Sequence, residues 1–220
     1  MDSYPPPEKG CKRLSTNGGM TLVELLSAIA IIAVLFFLTL LIFQRVFREA
    51  DASKCASNLR QIAMAIHGYA ADHQGTLPGP QLIAQGAKRT EDVQLTAYLA
   101  DYLGQADAPI GTMLPSFICP AWKKQTLGIK NANSQYILIA LEDGSIPFGY
   151  QSVTQLRPPL KLAYLNSRKP LSQTVVLTEL DAQTPSSSAW KALAPAPVHG
   201  AYRHTLYLDG RVQRTPVEAP

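Results

Sequence analysis

The feature that most constrains this chain is an apolar run near its start. From Leu25 to Phe43 there are nineteen residues without a charge, a glycine or a proline, and only Ser27 and Thr39 among them are polar. At 1.5 Å of rise per residue the run makes about 28 Å of helix, close to the ~30 Å hydrocarbon core of a bilayer. Such a segment has to leave water, into lipid or into a bundle of like helices. One carboxylate, Glu24, stands at its mouth, five residues after Gly19. An acid within a membrane costs about 2–3 kcal/mol, so its presence points to a task. An ordinary signal anchor would hold the same acid at headgroup level.

What precedes the run is polar. Pro5-Pro6-Pro7 excludes a helix, and Lys9, Lys12 and Arg13 make a short basic group. A secretory peptide is cut after its apolar core. Here the small residues, Gly18-Gly19, come before it, so a cut at that point would leave the run on the chain. Charge does not orient the span, because Arg45, Arg48 and Lys54 follow it as closely as the leader's three basic residues precede it.

The string Gly19-Met20-Thr21-Leu22-Val23-Glu24-Leu25-Leu26 resembles the type IV prepilin signal, shared by type IV pilins and type II secretion pseudopilins. Phe is commoner than Met at the first mature position, a departure the family tolerates. The resemblance implies cleavage by a prepilin peptidase between Gly19 and Met20 and N-methylation of Met20. It also implies that Glu24 faces the amine of a neighbouring subunit in a helical fibre. The partners implied are that peptidase, other pilin or pseudopilin subunits through the N-terminal helix, and an inner-membrane assembly platform. The implied location is the bacterial inner membrane, crossed once with the N-terminus cytoplasmic and the C-terminal domain periplasmic. From there the subunit is extractable into a periplasmic or surface fibre.

Beyond the span, Ala52, Cys55, Ala56, Leu59, Ile62, Ala63, Ile66, Tyr69 and Ala70 recur at helical spacing, with Lys54, Ser57, Asn58, Arg60 and Gln61 opposite. No proline lies between Gln44 and Ala71, and Gly68 is the only glycine. One helix from Met20 to about Ala71 is therefore expected, with His67 and His73 solvated near its end. Gly75-Thr76-Leu77-Pro78-Gly79-Pro80 ends it. A second helix is expected over Glu91–Leu103, with Thr90 as its N-cap and Gly104 after it. Phe117-Ile118-Cys119-Pro120 reads as extended, and strands are expected over Gln135–Leu141, Thr174–Leu180, Arg203–Leu208 and Arg211–Thr215. Asp209-Gly210 between the last two predicts a two-residue type I′ turn. Residues 181–198, rich in Pro, Ser and Ala, read as a loop.

The expected layout is a leader over 1–19, a transmembrane helix over 20–43, a periplasmic part of that helix over 44–74, and a globular domain over 75–220. The fold class is α+β: a long transmembrane-plus-amphipathic helix packed on a small antiparallel sheet, pilin-like by the resemblance.

His199, nine residues and then Asp209-Gly210 look like the His-X9-Asp-Gly C-terminal signature of a large group of prepilin-type proteins. Cys55-Ala-Ser-Asn-Leu-Arg-Gln-Ile, Gly75-Thr-Leu-Pro, Phe117-Ile-Cys-Pro and Thr174-Val-Val-Leu-Thr-Glu179 agree with the same group. A metal set of His199, His204 and Asp209 is disfavoured, because positions five apart on a strand face opposite sides and Asp209 serves the turn. No metal and no cofactor are expected.

Of the three cysteines, Cys11 would leave with the leader. Cys55 and Cys119 would both lie where disulfides persist. A bridge would close a loop of about 64 residues and add about 4 kcal/mol. The other possibility is two separate buried thiols. Glu142-Asp143-Gly144 reads as a turn, and Glu179 and Asp181 as surface acids beside Arg or Lys.

Neither a catalytic motif nor a phosphate loop is present, and the net charge of +4 is too small and scattered for nucleic-acid binding. The expectation is a non-enzymatic pseudopilin or minor pilin, built into a type II secretion pseudopilus or a type IV pilus-like fibre. The alternative is a membrane-anchored periplasmic enzyme or binding protein that uses a prepilin-type anchor.

Overall fold

The computed structural model describes residues 19–152, 154–184 and 192–217. The leader with Cys11, and residues 185–191 of the expected loop, lie outside the described residues. The chain divides into two compact units, one ending at Arg45 and the other spanning Val46–Pro220.

A single helix, α1, runs over Leu22–Asp72. Its C-terminus is set by Gln74, which takes a left-handed φ of 55°, and by the Gly75 N–H, which reaches back to the Ala70 carbonyl at 2.7 Å. In the second unit the apolar stripe of α1 is core: Cys55, Leu59, Ile62, Ala63, Ile66 and Ala70 are buried. Asn58 departs from its expected place on the solvated face. It is 1% exposed, and its amide donates to the Ile118 carbonyl at 2.7 Å. That bond answers a carbonyl in the turn just before Cys119, which periodicity cannot register.

Among the described residues seven strands follow: β1 (Ala84–Gly86), β2 (Ser134–Leu138), β3 (Tyr150–Gln151), β4 (Leu156–Arg157), β5 (Val175–Glu179), β6 (Tyr202–Tyr207) and β7 (Val212–Pro216). Five form an antiparallel sheet in the order β1-β2-β5-β6-β7, and β3 and β4 pair separately. The chain is thus α+β, with a long apolar N-terminal helix and a five-stranded antiparallel sheet. In register, Leu138 lies opposite Leu177 and Leu177 opposite Leu206. These three join the α1 residues Leu59, Ile62 and Ile66 in one cluster with Phe117, Tyr136 and Phe148. Two positions along the same strands, Tyr136 lies opposite Glu179. The pleat therefore aims Tyr136, Glu179 and His204 to the side that carries the leucines.

Several expected elements are corrected. The second helix, expected over Glu91–Leu103, is only α2 (Leu95–Leu99) with a 3₁₀ turn over Asp101–Leu103. Val93 has a φ of 53°, and its carbonyl takes the Leu82 N–H at 2.8 Å, which stops any earlier start. Thr90 donates to the Asp92 carbonyl and caps nothing. The extended Phe117–Pro120 segment is extended only at Ile118 and Cys119, between a 3₁₀ turn over Pro115–Phe117 and α3 (Pro120–Gln125). Pro120 opens α3 because its missing N–H is one the first turn never uses. A further helix, α4 (Leu162–Arg168), has no counterpart in the expectation.

The last hairpin is not a type I′ turn. Gly210 alone of its turn residues has positive φ, at 88°, and its N–H bonds the Tyr207 carbonyl at 3.0 Å. Tyr207 N–H in turn bonds the Arg211 carbonyl at 2.9 Å. This is a type I turn followed by a left-handed glycine, a three-residue loop. The Asp209 carboxylate accepts the Arg211 N–H at 3.0 Å.

Leu59 and Arg60 adjoin on α1, one fully buried and one exposed. Leu59→Ala should lower unfolding stability by about 2–5 kcal/mol, and Arg60→Ala should leave it within about 0.5 kcal/mol. Denaturant titration of the detergent-solubilised chain separates the two. Equal effects would mean that α1 does not pack by this stripe.

Candidate functional site

Two places carry chemistry, one in each unit. In the first, Thr21 and Glu24 close the start of α1 on each other. The Thr21 N–H and hydroxyl both donate to Glu24 Oε2 at 2.9 Å, and the Glu24 N–H donates to Thr21 Oγ1 at 3.2 Å. This is the reciprocal capping box, which meets helix donors that have no partner of their own. The signal, Thr-x-x-Glu before an apolar run, stands in the sequence and went unread there. Among the described residues, no donor is bonded to Oε1 of Glu24.

The span behind it is apolar on every side. Leu22, Val23, Ile32 and Phe36 are each more than 60% exposed, and the helix is long and apolar enough to cross a membrane. Its two hydroxyls are answered within the helix. Ser27 donates to the Glu24 carbonyl at 2.9 Å and Thr39 to the Phe36 carbonyl at 2.7 Å. No side-chain hydroxyl of the span then needs water. Gly19 and Met20, the expected cleavage pair, are exposed and precede the helix.

In the second unit Cys55 on α1 and Cys119 just before α3 are joined as a disulfide, their Cα atoms 4.7 Å apart. Beside the bridge lies a buried polar cluster. His199 Nε2 is 3.7 Å from Cys119 Sγ and 3.0 Å from Glu179 Oε1. His204 Nδ1 is 3.2 Å from the same oxygen, and the His204 backbone N–H donates to Glu179 Oε2 at 2.8 Å. An ionised carboxylate only accepts, so both ring nitrogens turn a proton toward it. Burial pushes the Glu179 carboxyl up, but the hydrogen bonds from His199 and His204 outweigh it and hold the carboxyl below the usual range. Burial, reinforced by the Glu179 charge, drives the Tyr136 phenol far up, so it stays protonated.

The surface role expected for Glu179 and Asp181 is therefore corrected: they are 4% and 1% exposed. Asp181 takes both Nε and Nη2 of Arg203, at 2.6 and 2.9 Å. The strand alternation that buries Leu177 also buries Glu179, and an acid there persists only with partners. The partners come from His199, before β6, and from β6 itself, which no local pattern reveals. Glu142 and Asp143 do lie at a turn, paired with Lys169 and Arg168.

The His-X9-Asp-Gly residues do not converge. His199 is in the buried cluster, whereas Asp209 is exposed in the β6–β7 turn. That turn is held to α1 by His67, whose Nε2 is 2.7 Å from the Leu208 carbonyl. His67 is thus a packing contact and not a solvated helix-end residue. His73 is exposed, stacked on Tyr69 at 3.7 Å. His204 and Asp209 likewise stay apart, one buried and one exposed.

No family model, curated protein or solved structure matches this chain.

The ion pairs differ in burial, and their loss should differ accordingly. The Arg203 and Asp181 side chains are 13% and 2% exposed, those of Arg214 and Glu49 50% and 57%. Asp181→Ala strands a half-buried guanidinium and should cost about 3–5 kcal/mol. Glu49→Ala, at an exposed and solvent-screened pair, should cost far less. Thermal melts of the two variants in one detergent decide; a mild Asp181→Ala would show that Arg203 finds water instead.

Proposed function

We propose that this chain is a pseudopilin or minor pilin, a structural subunit that is cut after Gly19, methylated at Met20 and assembled into a type II secretion pseudopilus or a type IV pilus-like fibre. One observation carries the reading. An apolar run with no buried side chain among its described residues begins just after an exposed Gly19-Met20 pair, its first turn capped by Thr21 and Glu24. Before assembly the helix spans the inner membrane with its N-terminus in the cytoplasm and the sheet domain in the periplasm. The membrane supplies the cover that the monomer lacks.

In the fibre the lipid is replaced by the same helix of neighbouring subunits, a nearly neutral exchange for apolar surface. The glutamate is not neutral. Its Oε2 is spent on Thr21, and Oε1 accepts the methylated amine of a neighbouring Met20. Ion pairing in that low-dielectric setting favours one register over its neighbours. The prepilin peptidase, sister subunits and the assembly platform are the partners this route requires.

Processing is the first test. Gly19→Val should leave an unprocessed precursor, because a side chain at that position obstructs the backbone in a narrow peptidase site. Mass spectrometry of the amino terminus reads the outcome, and a mature wild-type chain that does not begin at Met20 would overturn the cut site.

The capping box sharpens the second test. Gln also serves at the third position of the box, so Glu24→Gln keeps the helix start and removes only the charge. Glu24→Leu removes both. Both should insert in the membrane at least as well as wild type, since each removes an intramembrane charge that has a cost. Both should fail to enter fibres, measured by sheared-fibre recovery or secretion at matched expression. Normal assembly by Glu24→Gln alone would reduce the residue to a helix cap, and normal assembly by both would end the fibre role assigned to it.

A further inference from the structure

Four ligand-type side chains of the second unit converge at one point: Cys55, Cys119, Glu179 and His199, whose sulfur, oxygen and nitrogen atoms all lie within 4.8 Å of one another. We propose that when the Cys55–Cys119 bridge is reduced, these four residues form a tetrahedral Zn²⁺ site, so that the domain is stapled by a disulfide in one redox state and by a metal in the other. The proposal goes beyond the fibre reading and does not rest on it.

The geometry suits zinc. A tetrahedron with bonds of about 2.0–2.3 Å has edges of about 3.3–3.8 Å. Two edges stand near that already: Cys119 Sγ to His199 Nε2 at 3.7 Å and His199 Nε2 to Glu179 Oε1 at 3.0 Å. The two thiolates, one imidazole and one carboxylate select zinc over calcium or magnesium. Four protein ligands leave no open position, so the site is structural and not catalytic. The ligands come from α1, the residue before α3, the end of β5 and the segment before β6, so the metal would join the two parts that the disulfide joins and two more.

The surroundings supply what such a site needs around its ligands. His204 holds Glu179 through a ring nitrogen and its backbone N–H, and Tyr202 stacks on His199 with ring centres 5.5 Å apart. A cavity of about 10 Å³ is lined by Cys119 and Glu179 together with Trp122, Gln135 and Tyr136. Among the described residues, the Trp122 indole nitrogen, the Gln135 amide nitrogen and the Tyr136 hydroxyl are all buried without a hydrogen-bond partner. Three buried polar groups, each able to donate, are an unexplained cost there. Reduction adds two thiolate acceptors beside the Glu179 carboxylate, and the four ligands together carry one negative charge more than Zn²⁺ neutralises.

The chemistry balances with a thiol reductant. A dithiol delivers two electrons and two protons, the S–S bond breaks, and the dithiol becomes a disulfide. Zinc then binds both sulfurs as thiolates and releases two protons, and the His199 ring proton moves from Nε2, where it faced Glu179, to Nδ1.

The test uses the full chain in detergent, with Cys11→Ser to remove the third thiol. Oxidised protein should hold no zinc. Protein reduced with a phosphine and supplied with zinc alone should hold one ion per chain. Cobalt in its place should show thiolate charge-transfer bands and the visible bands of a tetrahedral ion. His199→Ala and Glu179→Gln should each weaken zinc binding at least about tenfold, and zinc should restore any near-ultraviolet circular dichroism that reduction removes. The proposal is overturned if the reduced chain binds no zinc. It is equally overturned if neither substitution changes the affinity, or if reduction unfolds the domain and zinc does not rescue it.

Discussion

The second unit depends on one contact: the stripe of α1 against the sheet. A five-stranded antiparallel sheet with one apolar face has no stability until that face is covered. Leu59, Ile62 and Ile66 meet Leu138, Leu177 and Leu206 in one cluster. Small residues of the stripe admit close neighbours. A Cβ placed on Gly210 of the last hairpin would lie only 3.8 Å from that of Ala63, and one placed on Gly68 would touch the Tyr102 ring at 3.0 Å. The second half of the helix is therefore as much a part of the domain core as any strand.

Next to that apolar contact sits a buried polar one. Glu179 occupies a position that strand alternation dedicates to the interior, and a carboxylate there would be expensive if alone. It is not alone: two imidazoles and a backbone N–H surround its oxygens. Asp181, two residues on, is matched by the fork of Arg203. These networks tie the end of β5 to β6 and to the segment before it, and they place His199 against the bridge that links α1 to α3. His199 thus works in the interior, while Asp209-Gly210 works ten residues later in a turn that His67 anchors to α1.

The first unit obeys a different solvent. Among the described residues of its apolar run none is buried, and its helix answers its own hydroxyls and closes its first turn with Thr21 and Glu24. A helix so self-sufficient in hydrogen bonds and so exposed in apolar area is fitted to lipid or to copies of itself. Among the described residues, its glutamate has one oxygen engaged, by Thr21 of its own chain.

The sequence by itself determined what is periodic or local. The apolar run, the α1 stripe and the strands β5, β6 and β7, each to within one residue at its ends, were readable because helices and strands repeat every 3.6 and 2 residues, and burial follows that repeat. The capping box of Thr21 and Glu24 was equally local, and only overlooked. The tertiary structure alone decided the rest. It placed Asn58 inside, because a carbonyl sixty residues away needed a donor. It cut the second helix short at Val93, because Leu82 claimed that carbonyl. It turned Glu179 and Asp181 from surface acids into buried ones, and it brought Cys55, Cys119, Glu179 and His199 to one point. Each of these outcomes rests on a partner distant in sequence, and the need of a buried polar group for such a partner leaves no periodic trace in the chain.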